Sequence, residues 1–233
     1  MADLAAVAAL IADPSRAAML DALMGGETLT AGALAHRAGV APSTASEHLA
    51  RLEGGGLVAS ERRGRARHVR LAGAEVARAL EALAAIAPQR RAAGLKAWHH
   101  GEALRAARSC YDHLAGVAGV ALADALVERG VLEPGDGGFA ITAAGQGALA
   151  GFGVDVATVL GARRATARAC LDWSERRPHV AGALGAALLD ELLRRRWLHR
   201  RPDGRALVVT PAGATGLASS FGVNIATIGT NST

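Results

Sequence analysis

A mainly α fold with small β-hairpin wings (α+β) is predicted by three observations. Of 233 residues, 51% are hydrophobic but only 3% are aromatic, so alanine and the aliphatics must do the packing. Alanine favours helix and fills little volume, which suits closely packed helices better than stacked sheets. Apolar residues recur at helical spacing between Asp-Pro, Thr and Gly punctuation. Short alternating segments with Gly-containing turns follow helices near residues 57, 131 and 197, as small hairpins do.

The N-terminal elements follow in order. Leu4, Val7, Ala8, Leu10 and Ile11 form an apolar helical stripe. Asp13 and Pro14 read as an N-cap and a proline at N1, opening a helix through about Met24 that Gly25-Gly26 closes. Thr30 caps a short helix, Ala31–Ala38, ended by Gly39, and Pro42 opens another that runs to Gly54-Gly55-Gly56. Leu57–Ser60, a turn at Arg63-Gly64, and Ala66–Leu71 read as a β-hairpin. Helix, helix, short turn, helix and hairpin make a winged helix-turn-helix over residues 1–87.

Charge is distributed unevenly. The net charge is +5, and Lys96 is the only lysine. Residues 1–87 hold nine arginines and nine acids and are neutral; residues 88–233 supply the whole surplus. Yet Arg62, Arg63, Arg65, Arg67 and Arg70 lie at the hairpin tip without one acid among them. A basic stripe in a balanced domain is a nucleic-acid footprint, although a solvated charged face would look the same in isolation. The longest apolar runs, Leu4–Ala12 and Val180–Leu189, are too short to span a bilayer, and two cysteines rule out a disulfide scaffold. A soluble, cytoplasmic protein with no membrane partner is expected.

Three segments carry a resemblance: Ala12-Asp13-Pro14-Ser15-Arg16; Leu34–Leu49, including Ala41-Pro42-Ser43-Thr44-Ala45-Ser46-Glu47-His48; and Leu52-Glu53-Gly54-Gly55-Gly56-Leu57-Val58. Over residues 3–87 the chain resembles the ArsR family of bacterial transcriptional regulators. The resemblance implies a homodimer on double-stranded operator DNA, usually repressing and released by an effector, with Ala41–Leu52 as the recognition helix. Helical periodicity puts Ser43, Thr44 and Glu47 on its first exposed turns, with Ser46, His48 and Arg51 beside them, and turns Ala45, Leu49 and Leu52 inward. Hydroxyls reach base edges or phosphates, and the wing residues Arg62, Arg63, Arg65 and Arg67 would grip backbone or enter the minor groove. Glu47 either accepts from a cytosine amino group or pairs with Arg51 at i+4. The family's metal sites are not implied. The helix before the recognition helix reads Leu34-Ala35-His36-Arg37-Ala38 without cysteine, and Ala74–Ile86 has no histidine.

The remainder contains an internal repeat. Ala107–Asp112 returns as Ala167–Asp172, His113–Leu122 as His179–Leu188, Ile141–Gly145 as Val209–Gly213, and Phe152–Val156 as Phe221–Ile225. Each copy is expected to run helix, helix, hairpin, helix, with hairpins at Val131–Ile141 and Trp197–Val209 turning near Gly135–Gly138 and Pro202–Gly204. The expected organisation is a winged helix-turn-helix at 1–87 and a connecting and dimerising helix at 88–104, part of a long helix broken near Pro88. A duplicated domain follows at 105–233, two winged-helix-like repeats (copies 105–158 and 163–228) about a pseudo-twofold axis.

Cys110, Asp112 and His113 recur as Cys170, Asp172 and His179, with Tyr111 and Trp173 beside them. Three readings stay open: packing and helix capping, an effector pocket between the copies, or a metal or thiol redox site. No resident cofactor or metal is expected; Cys110 and Cys170 are where metal or redox sensing could enter. The arginines around the second copy's hairpin could add auxiliary backbone contacts. No nucleophile elbow, HExxH or phosphate-cradling glycine loop occurs, so no enzyme is expected. The expectation is a regulator with a C-terminal sensing or assembly domain and an unknown small effector. The alternative is an effector-binding or protein-interaction module whose winged helix does not read DNA.

Overall fold

The computed structural model describes residues 3–88, 95–201 and 204–225. They form two compact units, Met1–Leu80 and Glu81–Thr233.

The first unit begins with α1 (Leu4–Ile11) and α2 (Pro14–Leu23). Asp13 caps α2 by accepting from Arg16 N, with Pro14 in the first turn. The Arg16 side chain folds back and donates to the carbonyls of Leu10 (2.6 Å) and Ala9 (2.8 Å), satisfying the C-terminal end of α1. Thr30 caps α3 (Ala31–Ala38), and Gly39, at φ +66°, ends it in the left-handed region. A tight turn leads to α4 (Pro42–Gly54), then to β2 (Val58–Arg63) and β3 (Ala66–Leu71). β1 (Leu29–Thr30) completes an antiparallel sheet of order β1-β3-β2. It has two residues, too few to show any period in the sequence. Met19, Leu20, Leu23, Leu34, Leu49, Leu52 and Leu71 are all buried, so every helix after α1 contributes to one core. α1 buries nothing: Leu4 is 79% exposed and Val7 37%.

The long helix expected to break near Pro88 is described on either side of it as α5 (Ala74–Ile86) and α6 (Leu95–Ala106), and the division between units falls within α5. The linking residues 89–94, the tip residues Pro202 and Asp203 and the end of the second copy beyond 225 lie outside the described residues.

The second unit departs from the expected order. Each copy opens with a β-hairpin where a helix is predicted: β4 (Arg108–Cys110) with β5 (His113–Ala115), and β8 (Arg168–Leu171) with β9 (Pro178–Ala181). From there the two copies run alike. α7 (Val117–Glu128), β6 (Leu132–Gly135), β7 (Gly138–Ile141) and α8 (Ala143–Phe152) precede the short α9 (Val156–Leu160). α10 (Gly182–Arg194), β10 (Leu198–Arg200), β11 (Leu207–Val209) and α11 (Pro211–Phe221) follow in the second. Thr142 and Thr210 cap α8 and α11 by accepting from Gly145 N and Gly213 N.

The opening segments are strands because their backbone bonds go across the unit. Phe139 N donates to Ala167 O (2.8 Å) and Leu207 N to Ala107 O (2.9 Å). Ala169 N donates to Gly137 O (3.2 Å) and Ser109 N to Arg205 O (2.9 Å). The wing of each copy is thus bonded to the opening hairpin of the other, and β6-β7-β8-β9 forms one four-stranded sheet. A helical hairpin segment could not offer those groups, so tertiary pairing overrides local propensity. Beneath lies one apolar core in which Leu126, Leu149, Leu184, Leu188 and Leu217 are at most 2% exposed. Phe152 meets Phe221 edge-on at 4.7 Å between centroids.

Glycine is required where helix and hairpin close on each other. A Cβ on Gly185 of α10 would stand 2.4 Å from Val180 O and 3.0 Å from His113 Cβ. Gly119 of α7 would meet Leu114 O at 2.5 Å and His179 Cβ at 3.6 Å. Gly185→Ala should therefore lower stability by about 1–3 kcal/mol. Gly147→Ala, on an exposed part of α8 with nothing within 4 Å, should raise it by about 0.5–1 kcal/mol. Chemical denaturation of the two variants against the parent chain checks both signs.

Candidate functional site

The first candidate site is the outer face of the N-terminal unit. Ala45, Leu49 and Leu52 anchor α4 in the core, which fixes its opposite face outward. Ser43, Ser46, Glu47 and Arg51 are exposed and Thr44 is half-buried at its rim. Ala41, at the N-cap, offers no side-chain hydrogen bond, so the first amides of α4 stay available to an acceptor such as phosphate. His48 does not join this face. It is turned toward α2, with Nδ1 3.5 Å from Arg16 Nη1 and 3.9 Å from Asp13 Oδ1.

The wing arginines divide into two kinds. Arg62 and Arg65 are exposed, Arg65 in the two-residue turn with Gly64 at φ +61°. Arg63 is exposed but paired with Glu61. Arg67 is not free: it donates to Glu53 Oε2 (2.6 Å) and Ser60 Oγ (3.0 Å), bolting the wing to the end of α4. Glu53 also accepts from Ser60 Oγ and N, and these bonds with the Arg67 charge hold its carboxyl below the ordinary range. The strand pairing that turns Arg67 toward Glu53 is not visible in a list of basic residues.

The second candidate site is in the C-terminal unit. Cys110 faces His113 across the first hairpin and Cys170 faces His179 across the second. The unit brings the two pairs together: one ligand atom from each of the four residues lies within 4.8 Å of every other, and all four side chains are buried. The sulfurs are 4.0 Å apart and both thiols are free. The imidazoles are 5.1 Å apart between centroids. Asp112 Oδ1 stands 3.1 Å from His113 Nδ1, and Asp172 Oδ2 3.4 Å from His179 Nδ1. Neither His113 Nε2 nor His179 Nε2 has a hydrogen-bond partner.

Electrostatics favour one thiolate here. The hydrogen bond from Cys110, aided by the imidazoles of His113 and His179, draws Cys170 far below the thiol range despite its burial. That same bond and burial push Cys110 well up. Burial works against charge on His113, yet Asp112 and Cys170 hold it above its ordinary value. Asp172 is buried but pulled well below the carboxylate range by Arg108 at 2.9 Å, by Ser174, and by the amides of Gly116 and Glu175. Neither repeated aspartate caps the helix that follows it in its own copy, since α7 and α10 have no side-chain cap; Asp172 instead accepts from Gly116 N, at the start of the other copy's α7.

Tyr111 occupies the first hairpin's turn at φ +61°, and Trp173 is stacked under Arg108, 4.6 Å from the ring centroid. A cavity of about 280 Å³ lies between Leu126, Arg129, Phe152, Arg195 and Phe221. The second copy's arginines are largely engaged within the unit. Arg194 and Arg195 hold Glu191, and Arg205 holds buried Glu81 at 2.6 Å.

A helix-turn-helix domain family matches residues 11–61, from the end of α1 into β2. The chain is 41% identical over 223 residues to YdfF of Bacillus subtilis (strain 168), described as an uncharacterized HTH-type transcriptional regulator. That similarity covers 96% of this chain and 99% of YdfF. Solved structures similar to part of the chain include the homodimeric winged helix-turn-helix DNA-binding domain of Mb0332 from Mycobacterium bovis, a possible ArsR-family regulator. It is 34% identical, covering 34% of this chain and 73% of that one at a TM-score of 0.32. NolR from Sinorhizobium fredii is 32% identical, covering 35% and 81% at a TM-score of 0.33. No helix among the described residues is long and apolar enough to cross a membrane. With near-complete coverage of YdfF and a helix-turn-helix match spanning α2, α3 and α4, the chain belongs to the HTH-type transcriptional regulators.

Proposed function

We propose that the chain is an ArsR-type repressor that binds double-stranded operator DNA as a homodimer, with its C-terminal unit as a sensing or assembly domain. The observation that carries this reading is the outer face of α4. Ser43, Thr44, Ser46 and Glu47 are presented beside an N-terminus without a side-chain cap, with Arg62 and Arg65 exposed on the wing. In this reading hydroxyls and Glu47 meet base edges in the major groove, while Arg62, Arg65 and the half-engaged Arg63 meet phosphate or the minor groove. Arg67 acts at one remove, by holding the wing in place. The exposed apolar side chains of α1 support the homodimer, since Leu4 and Val7 otherwise face water.

A gel-shift or fluorescence titration against the chain's own promoter region and random DNA tests it. Arg65→Ala should weaken both DNAs alike and reduce the salt slope by about one. Thr44→Val should leave random DNA unaffected and cost about 1–3 kcal/mol of discrimination. Equal binding of promoter and random DNA by the parent chain would instead favour an interaction module that kept a winged helix. The dimer has its own check: Leu4→Glu with Val7→Glu should shift the mass in solution, by light scattering, from two chains to one.

A further inference from the structure

The C-terminal unit buries two thiols and two imidazoles against one another, and ordinary packing leaves that cluster unexplained. Buried polar groups are nearly always hydrogen-bonded, yet Nε2 of both His113 and His179 has no partner. A disulfide accounts for the sulfurs only after about 2 Å of closure from their 4.0 Å separation, and leaves both imidazoles unsatisfied. Helix capping accounts for Asp172 but for none of the four.

We propose that Cys110, His113, Cys170 and His179 form a closed, tetrahedral Cys2His2 site for a zinc ion, which clamps the two hairpins of the C-terminal unit together. Zinc takes four sulfur and nitrogen ligands, with Zn–S about 2.3 Å and Zn–N about 2.0–2.1 Å, which sets ligand atoms about 3.3–3.8 Å apart. The sulfurs, at 4.0 Å, are nearly there, and the widest separation of 4.8 Å needs about 1 Å of contraction. The surroundings fit as well. Ligating histidines usually turn their second nitrogen to a carboxylate: Nδ1 of His113 is hydrogen-bonded to Asp112 at 3.1 Å, and Nδ1 of His179 lies 3.4 Å from Asp172 without a formed bond. Nε2 of each ring is then the ligand. Two thiolates cancel the charge of the divalent ion, so the loaded site is neutral, as its burial requires. Loading takes the remaining thiol protons into solvent. Four protein ligands leave no open position, which makes the site a clamp and not a catalytic centre. Each hairpin contributes one cysteine and one histidine, so the ion holds the pseudo-twofold contact itself.

The test uses the full chain, purified without chelator. Elemental analysis should find about one zinc per chain. Stripping the ion should lower the thermal midpoint by about 10 °C, restored by Zn2+ and not by Mg2+. Co2+ in its place should give the intense visible bands of a tetrahedral thiolate complex. Cys170→Ser and His179→Gln should each lose that spectrum. Because either variant could fail to fold, the stripped parent chain decides the matter independently. The proposal is overturned if folded stripped protein gains neither the cobalt spectrum nor a zinc-dependent midpoint. It is equally overturned if thiol titration shows Cys110 and Cys170 joined as a disulfide in metal-free protein, or if Cys170→Ser keeps the full cobalt spectrum.

Discussion

The carboxylate of Asp172 organises the C-terminal unit. It is fully buried and accepts five hydrogen bonds: from Arg108, from Gly116 N, from Ser174 N and Oγ, and from Glu175 N. Those donors come from the opening strand of one copy, the first turn of α7, and the loop of the other copy. A buried charge is tolerable only when its lone pairs are taken up in this way. In return Arg108, itself fully buried, is fixed over the Trp173 ring, and the loop from 172 to 177 is given a definite shape. Nδ1 of His179 lies 3.4 Å from the same carboxylate. Removing the charge would strand Arg108 and release the helix start together, so strand and helix depend on one group.

Much of this architecture is legible in the sequence, and the reasons are local. Asp13-Pro14, Thr30, Gly39 and Pro42 each state a backbone requirement that nothing distant overrides, and the helices of the first unit begin and end there. The repeat is visible because the same residues recur, and Cys110, His113, Cys170 and His179 can be singled out on that ground alone. What the sequence hides is where backbone bonds go. Ala107–Cys110 contains good helix formers, and pairing with β5 together with hydrogen bonds to the other copy's wing holds it extended. Residue identity also leaves the orientation of a charge open. Arg67 looks like its neighbours at the hairpin tip until strand register turns it onto Glu53. His48, one residue after Glu47 on the same helix, faces Asp13 because the helix period carries it inward.

The arginine count is a case of the same lesson at larger scale. The whole basic surplus lies in residues 88–233, where Arg108, Arg194, Arg195 and Arg205 serve carboxylates of their own unit. Such pairs stabilise a fold while leaving little field for a distant partner. Arg62 and Arg65, by contrast, are exposed on the wing of the electrically balanced N-terminal unit. Total charge and available charge are different quantities in this molecule.

The exchange of wing and hairpin between the two copies has a consequence for assembly. The contact is reciprocal, with each half giving and receiving the same backbone bonds, as in a two-fold dimer. Here the partners share one chain, so dilution cannot separate them, and the entropy of bringing them together is reduced to closing a loop. Joined halves are also free to drift apart in detail, which identical subunits are not. Asp172 has sunk into a five-donor cage, while its counterpart Asp112 keeps a half-buried position and pairs with Arg164. A symmetric scaffold that no longer has to be symmetric can keep one face for cohesion and vary the other.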